Sequence, residues 1–440
     1  MRLVRIFRIP LFLLPFLLSA QSTGSLNLYP GSPSNSANEQ AELNQAVNEA
    51  NGSPVDVTRA LEQHLRKYPN SARRADIEAS LYKTAADSND RPRIVLYGER
   101  LLAGRPNNEL EILDRVIRAL LASDDPASAT KALGHCARYE AGVGDFRARQ
   151  PEGHATAAQW ADLADRALAR ATVLEARAYG NLGSIENAVS QAKRSWNASP
   201  SAEAAHEIAR WLARTGKESD IPDAIAHYAD AVTVEDARSP WSDRDRDRKT
   251  ATDLYVKLHG SAEGLAEVFQ QAWDRTAAAV RDRTARYKAM DRNYGLTDPF
   301  DFRLPGMGTG PISPLDLASL KGKTLVIDFW ATWCAPCIAQ YPLIDHVKQK
   351  YAPSTDVVFL SLNADDDHSL VEPFLKAQNW DPRVYPESGL AGLLNVTSLP
   401  TILVIDPAGQ VYSRMTGFNN GLFENMLASR IEEARSAVVK

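Results

Sequence analysis

Two of the three cysteines in this 440-residue chain stand three positions apart, in the stretch Val326-Ile-Asp-Phe-Trp-Ala-Thr-Trp-Cys-Ala-Pro-Cys337. Three kinds of chemistry use such a pair: a metal site, a structural crosslink, and thiol–disulfide exchange. A zinc site needs two further ligands, usually a second Cys-x-x-Cys or a pair of histidines. Residues 291–440 hold no third cysteine and only His346 and His368, so no complete zinc site, and no metal, is expected there. A crosslink across so short a loop removes little chain entropy and would staple almost nothing. Redox exchange is the reading that remains.

The elements around the pair favour it. Residues 324–330 (TLVIDFW) form a continuous apolar run of the buried-strand type, and a helical pattern (IAQYPLIDHVKQKYA) follows Cys337. Cys334 therefore falls at a helix start, where unpaired N–H groups and the helix dipole favour negative charge. That lowers the thiol pKa and supplies the thiolate, which is the nucleophile of exchange. Cys337, one turn further on and on the same face, is placed to resolve the mixed disulfide. Pro336 sits in the first turn, where its missing N–H costs little, and Trp333 is expected to cover Cys334 on its exposed side. Further strands are expected at 356–363 (DVVFLSLN), 401–406 (TILVID) and 410–415 (QVYSRM), the last two flanking the turn Asp406-Pro-Ala-Gly409. Helices are expected at 369–379 and 422–437. The order β-α-β-α-β-β-α predicts an α/β domain with a mixed sheet and helices on both faces.

The stretch VIDFWATWCAPC resembles the active site of the thioredoxin superfamily, and Ala-Pro between the cysteines is typical of its exported TlpA-like and ResA-like thiol-disulfide oxidoreductases. The lead-in DFRLPG…SPLDLASLKGKTLVIDFW is similar to that family as well, in which a short hairpin precedes the first core strand. The resemblance covers about residues 296–436. It implies a thioredoxin fold, a redox disulfide Cys334–Cys337, and no prosthetic cofactor. Asp328 matches the buried carboxylate that moves a proton to and from the second cysteine; burial raises a carboxyl pKa and suits it to general acid–base work. Pro342 matches the proline that kinks the active-site helix. Leu399-Pro400-Thr401 matches the loop with a cis-proline, whose preceding backbone pairs with the substrate strand. Gly417 matches a glycine that opens the docking surface, so Trp333, Leu399, Pro400 and Gly417 form the implied substrate-binding set. Two positions depart from the pattern: Gln340 replaces a glutamate frequent near this site, and Ser361 replaces the lysine that thioredoxin pairs with its buried aspartate. A peroxidase is not implied, since Ile327 and Ala331 stand where a peroxiredoxin has proline and threonine.

The rest of the chain frames this domain. At 44% hydrophobic and 24% charged residues the composition is globular, with room for about two to three domains. The net charge of −5 gives no basic footprint for nucleic acid. Residues 1–20 read as a secretory signal peptide: three arginines in MRLVRIFR, a short apolar run, then Ser-Ala before a polar stretch. Leu18 at the −3 position leaves an uncleaved membrane anchor open, and the lack of a following cysteine argues against a lipoprotein. Residues 21–38 read as a flexible tether.

Residues 39–290 carry helical periodicity, as at Leu61, Leu65 and Tyr68, with weak self-similarity. Tyr179, Gly183, Ala188 and Pro200 fall where a helix-turn-helix repeat would put them, Gly216 follows Gly183 by 33 residues, and Pro69 and Pro106 end two earlier candidates. This resembles degenerate tetratricopeptide repeats, with a plain helical bundle as the alternative. Ala178, Gly183 and Ala188 are expected to let paired helices approach closely. No catalytic cluster is visible in this half. His135, His206 and His227 are scattered, Cys136 reads as a small buried apolar residue, and the run 238–249 (RSPWSDRDRDRK) alternates in sign as a solvated face does.

The expected organisation is thus a signal peptide, a tether, an α-helical repeat domain (39–290), and a thioredoxin-like domain (291–440). The expected function is an exported, periplasmic thiol-disulfide oxidoreductase. Its expected partners are client proteins with cysteines or disulfides, a membrane thiol electron donor, and a protein bound by the helical repeats. The alternative is a repeat scaffold whose thioredoxin domain is mainly structural.

Overall fold

A computed structural model describes residues 37–437, apart from 51, 104–108, 124, 150–154, 236–240, 308–312 and 418–420. The expected signal peptide, nearly all of the tether, and the repeat end at Pro106 lie outside the described residues. Residue contacts divide the chain into two compact units, Met1–Thr84 and Ala85–Lys440.

The first unit contains α1 (Ala37–Glu49), α2 (Pro54–Lys67) and most of α3 (Arg74–Asp87). Leu43, Ala50, Leu61, Leu65, Ile77 and Leu81 are its buried apolar residues among those described. Tyr68 is only partly buried; it ends α2 and donates its hydroxyl to Glu42 at 2.8 Å.

The helical part of the second unit runs through α4 (Arg91–Ala103), α5 (Leu110–Leu120), α6 (Pro126–Ala148), α7 (Ala157–Asn181), α8 (Ile185–Ala198), α9 (Ala202–Leu212), α10 (Ile221–Thr233), α11 (Trp241–His259) and α12 (Leu265–Met290). Helix α7 packs on α6, α8 and α9, and α10 packs on α9, α11 and α12. Alanines at 171, 176, 178, 188, 192, 204, 205 and 209 are fully buried in these contacts. A methyl side chain carries no rotamer entropy and lets backbones come close.

Gly183 differs from expectation. It is exposed, has open space where a Cβ would stand, and takes φ +79° in the α7–α8 turn. Its role is to end a helix in the left-handed conformation that glycine adopts without strain. Gly216 takes the same left-handed conformation, φ +76°, in the turn between α9 and α10. Close approach occurs instead at Gly180, where a Cβ would run into the indole of Trp211. Cys136 is a free, fully buried thiol, and burial pushes its pKa up.

The C-terminal part adds β1 (Arg303–Leu304), β2 (Leu315–Asp316), β3 (Thr324–Trp330), α13 (Ala335–Lys350), β4 (Val357–Asn363), α14 (Val371–Gln378), β5 (Val384–Pro386), α15 (Leu390–Leu393), β6 (Thr401–Ile405), β7 (Val411–Thr416) and α16 (Phe423–Ser436). β1 and β2 form the small antiparallel hairpin that the family resemblance implied. The main sheet is mixed, in the order β5-β4-β3-β6-β7. β3 lies parallel to β4 and antiparallel to β6, and every residue of β3 is buried. Burial on both faces explains why its sequence is continuously apolar rather than alternating.

Val326 faces Ile344 and Val347 of α13, with Phe423, Leu427 and Ile431 of α16, in one core cluster. On the opposite face Leu325, Ile327 and Phe329 pack with Leu304, Leu317 and Leu390, so α15 and the hairpin cover that side. β5 and α15 were absent from the expected order. They span three and four residues, too short for any periodicity, and Pro386 sits in an edge strand, where a missing donor is tolerated.

Candidate active site

The end of β3 and the start of α13 hold the two cysteines. Cys334 is the N-cap of α13, with Ala335 and Pro336 as the first two helical residues. Its Sγ accepts the backbone N–H of Cys337 at 3.3 Å and is joined to the Cys337 sulfur in a disulfide, the Cα atoms 5.3 Å apart. A sulfur in the N-cap position receives the N–H that a serine or aspartate would normally receive. A thiolate there gains both that hydrogen bond and the positive end of the helix dipole. Both cysteines are 4% exposed. They share an apolar cluster with Met307, Trp330, Ala331, Val371, Leu375 and Val384, and Leu399 packs against it.

The short loop before Cys334 is fastened from β4. Thr332 donates its N–H and its hydroxyl to the two carboxylate oxygens of Asp365, at 2.8 and 2.6 Å. Asn363, at the end of β4, donates its side-chain amide to Asp365 at 2.6 Å, and Ala364 donates its N–H to the carbonyl of Trp330 at 2.8 Å. Asp365 and Asn363 are buried, so these bonds work where water does not compete. Trp333, by contrast, is 70% exposed. Its indole stands in solvent, while the apolar cluster encloses the sulfurs.

Asp328 sits midway along β3, opposite Ser361 on one side and Ile402 on the other. Strand alternation puts it on the same face as Val326 and Trp330, the face that α13 covers. It is buried, and desolvation pushes its carboxyl up to about 7. Ser361, which replaces the lysine of the family pattern, accepts the indole N–H of Trp330 at 2.8 Å. Trp380 meets Trp330 edge-on, 5.2 Å between centroids, and stacks on Tyr341 of α13 at 3.7 Å. The Tyr341 hydroxyl in turn accepts the N–H of Asp381 at 3.0 Å. Gln340 lies one turn beyond Cys337, buried, and its Oε1 has no hydrogen-bond partner among the described residues. Pro342 lies inside α13.

The remaining expected positions come together at the start of β6. The Leu399–Pro400 peptide bond is cis. The carbonyl of Pro400 accepts the N–H of Gly417 at 3.0 Å, which ties the loop to the exposed end of β7. Gly417 has φ +77° with nothing within 4 Å of a Cβ position. The structure therefore packs Leu399 against the apolar cluster that holds Cys334 and Cys337, and bonds Pro400 to Gly417. It also adds Asp365, Thr332, Tyr341 and Trp380, which sequence reasoning missed. Asp365 was hidden in the run Asp365-Asp366-Asp367, which reads as solvated charge. The helical histidines each meet a carboxylate: His135 with Glu99, His206 with Asp247, and His227 with Asp230.

This geometry can be set beside known proteins. Over 105 residues, 23% of the chain, it is 32% identical to a thiol-disulfide oxidoreductase ResA of Bacillus cereus, covering 60% of that protein. ResA of Bacillus subtilis is 30% identical over 105 residues, with 58% of its length covered. The chain thus spans about three fifths of the curated relatives it first matches. A thioredoxin of Chlorobaculum thiosulfatiphilum is 29% identical over 111 residues, 25% of the chain and 79% of that protein. Among solved structures, a putative thiol:disulfide interchange protein DsbE from Chlorobium tepidum is 28% identical, covering 31% of the chain and 94% of its own, with a TM-score of 0.28. The C-terminal third of the chain carries a Redoxin domain, residues 295–431 matching that family.

Proposed function

We propose that the chain is an exported thiol-disulfide oxidoreductase that reduces or exchanges disulfides in client proteins. One observation carries the reading: a buried cysteine pair at a helix N-terminus, on the sheet face that also buries a carboxyl group with a pKa near neutrality. In the reduced protein the Cys334 thiolate attacks one sulfur of a client disulfide. The client S–S bond breaks, a mixed disulfide forms, and the leaving client thiolate takes a proton from water. Cys337 then gives its proton to Asp328, and its thiolate attacks the Cys334 sulfur. The second client thiolate leaves, so the client gains two electrons and Cys334–Cys337 is oxidised. Leu399 and Pro400 present backbone to the client segment, and the exposed Trp333 and Gly417 border its path. A membrane thiol donor re-reduces the pair. Export to the bacterial periplasm rests on the sequence pattern of residues 1–20.

The experiment is a trap with Cys337→Ser in the exported full chain. Clients are expected to accumulate as mixed disulfides on Cys334, released by dithiothreitol. Buried Cys136 does not compete for them. An empty trap together with no insulin reduction by the wild type would overturn the reading.

A further inference from the structure

The helical part and the redox part meet at the start of α7. Thr156 caps that helix: its hydroxyl accepts the N–H of Gln159 at 3.3 Å, and Gln159 Oε1 accepts the N–H of Thr156 at 2.9 Å. This capping box fixes both side chains. They stand against Gly389, the residue before α15, where an added Cβ would lie 2.9 Å from the Thr156 methyl and 3.6 Å from the Gln159 amide nitrogen. Gly389 is buried at φ +92°, and Ser388 before it takes φ +48°. A serine is strained in the left-handed region and stays there only where its surroundings hold it. Helix α7 also grips the segment that leads into β1. Tyr294 shares hydrogen bonds with Asp162 and Arg166, and Asn293 exchanges two bonds of 2.9 Å with the backbone of Arg303.

From the Ser388–Gly389 turn a chain of hydrogen bonds runs to the loop before Cys334. The Glu387 carboxylate accepts the N–H groups of Gly389 and Ala391, at 3.0 and 2.8 Å. Glu387 donates its own N–H to the carbonyl of Asn363 at 2.9 Å. The Asn363 side chain donates to the Asp365 carboxylate at 2.6 Å and accepts the Asp365 N–H at 3.0 Å. Asp365 in turn holds Thr332, two residues before Cys334. Glu387, Asn363 and Asp365 are buried, so water does not compete for these links. Thr156, Asp365, Glu387 and Gly389 border one cleft of about 940 Å3, which puts the start of α7 beside this chain of bonds.

We propose that Thr156 and Gln159 are positioning residues for the redox centre: α7 braces the Ser388–Gly389 turn, and through Glu387, Asn363 and Asp365 it sets the loop that delivers Cys334. The helical part is then a component of the redox site, which the cysteine motif alone does not reveal.

The test reads Cys334 without a client, so its outcome is separate from that of the proposed function. The reduced full chain is treated with iodoacetamide across neutral pH, and alkylation of the Cys334 peptide is followed by mass spectrometry. The pH profile separates a shift in thiolate pKa from a change in access. Gly389→Ala crowds the contact and Thr156→Ser loosens it, while the serine keeps the cap hydroxyl. Each should speed alkylation, Gly389→Ala at least roughly threefold, since coupling through packed networks is worth a factor of about two to thirty. The double variant moves one methyl across the contact and should return the rate to within about twofold of wild type, as coupled neighbours do and independent sites do not. Far-UV circular dichroism checks folding. Where Gly389→Ala does not fold, Gln159→Ala opens the capping box and should speed alkylation likewise. Wild-type rates in the folded single variants, or additive effects in the double variant, would overturn the proposal.

Discussion

Asp328→Asn should make the protein more stable and less active at once. The carboxyl is pushed up to about 7 by burial, against an ordinary 3.8. At 1.36 kcal/mol per pKa unit that gap corresponds to about 4 kcal/mol. Between the two values the folded chain holds a proton that the unfolded chain has released. The contribution to stability is therefore fully present below about pH 4 and is lost as pH rises to about 7. Asparagine fills nearly the same volume and does not titrate, so the variant lacks this loss. In urea unfolding of the oxidised protein, followed by tryptophan fluorescence, the two chains should match near pH 4. By pH 8 they should diverge by up to about 4 kcal/mol in favour of the variant. Activity moves the other way. Without a group to take the Cys337 proton, release of a labelled client from its mixed disulfide should slow by roughly 10²–10⁴-fold at pH 7. The inflection near pH 7 in the wild-type rate should vanish. Parallel stability curves from pH 4 to 8 would refute the burial argument, and an unchanged release rate would refute the proton-transfer role.

Gly180→Ala tests the helical packing. In a helix interior the change is usually worth about 1 kcal/mol of stability, but here the new Cβ meets the buried indole of Trp211. Overpacking of about 1–3 kcal/mol should win, and a variant that melts higher than wild type would show that the indole moves aside freely. Gly183→Ala, at a left-handed φ in open space, should cost about 1 kcal/mol from backbone strain alone; an unchanged melting temperature would count against that strain. Asp365→Ala removes both anchors of Thr332. It should cost about 2 kcal/mol and speed alkylation of reduced Cys334 as its loop loosens; equal alkylation rates would argue that the loop holds itself.

The candidate site was legible where a single local feature decides chemistry. A cysteine between a strand and a helix, and a second one turn on, can be read without tertiary information, whereas the role of Asp328 came from the family resemblance. The cis-proline loop and Gly417 came only from family resemblance, because nothing in Leu399-Pro400 itself selects cis. The supporting residues were not legible for a physical reason. Asp365 opens a run of three aspartates and is buried because β4 delivers it under the Thr332 loop, a pairing 33 residues apart in sequence. Tyr341 and Trp380 meet across a similar gap. The short β5 and α15 exist because the sheet edge and core offer them partners, and too few residues carry that pattern to announce it.

The helical half shows the same limit in its charges. The alternating run 238–249 was read as a solvated face, and in its described part Asp245, Arg246, Arg248 and Lys249 are exposed. Asp247, however, is buried and bonded to His206 at 2.7 Å. On a helix, residues at every third or fourth place share a face, so an alternating-sign run must point some of its charges inward once the helix packs. Whether an inward charge is tolerated depends on a partner from another helix, here 41 residues away in sequence. The same geometry shapes the cleft of about 750 Å3 that α5, α7, α9 and the start of α11 line. Arginines spread along α5, α7, α9 and α11 look like ordinary surface charge in sequence, and only the packing of those helices gathers them around buried carboxylates. Sign alternation along a chain is thus a poor guide to exposure wherever helices stack face to face. A long-range partner decides whether such a charge is surface or support.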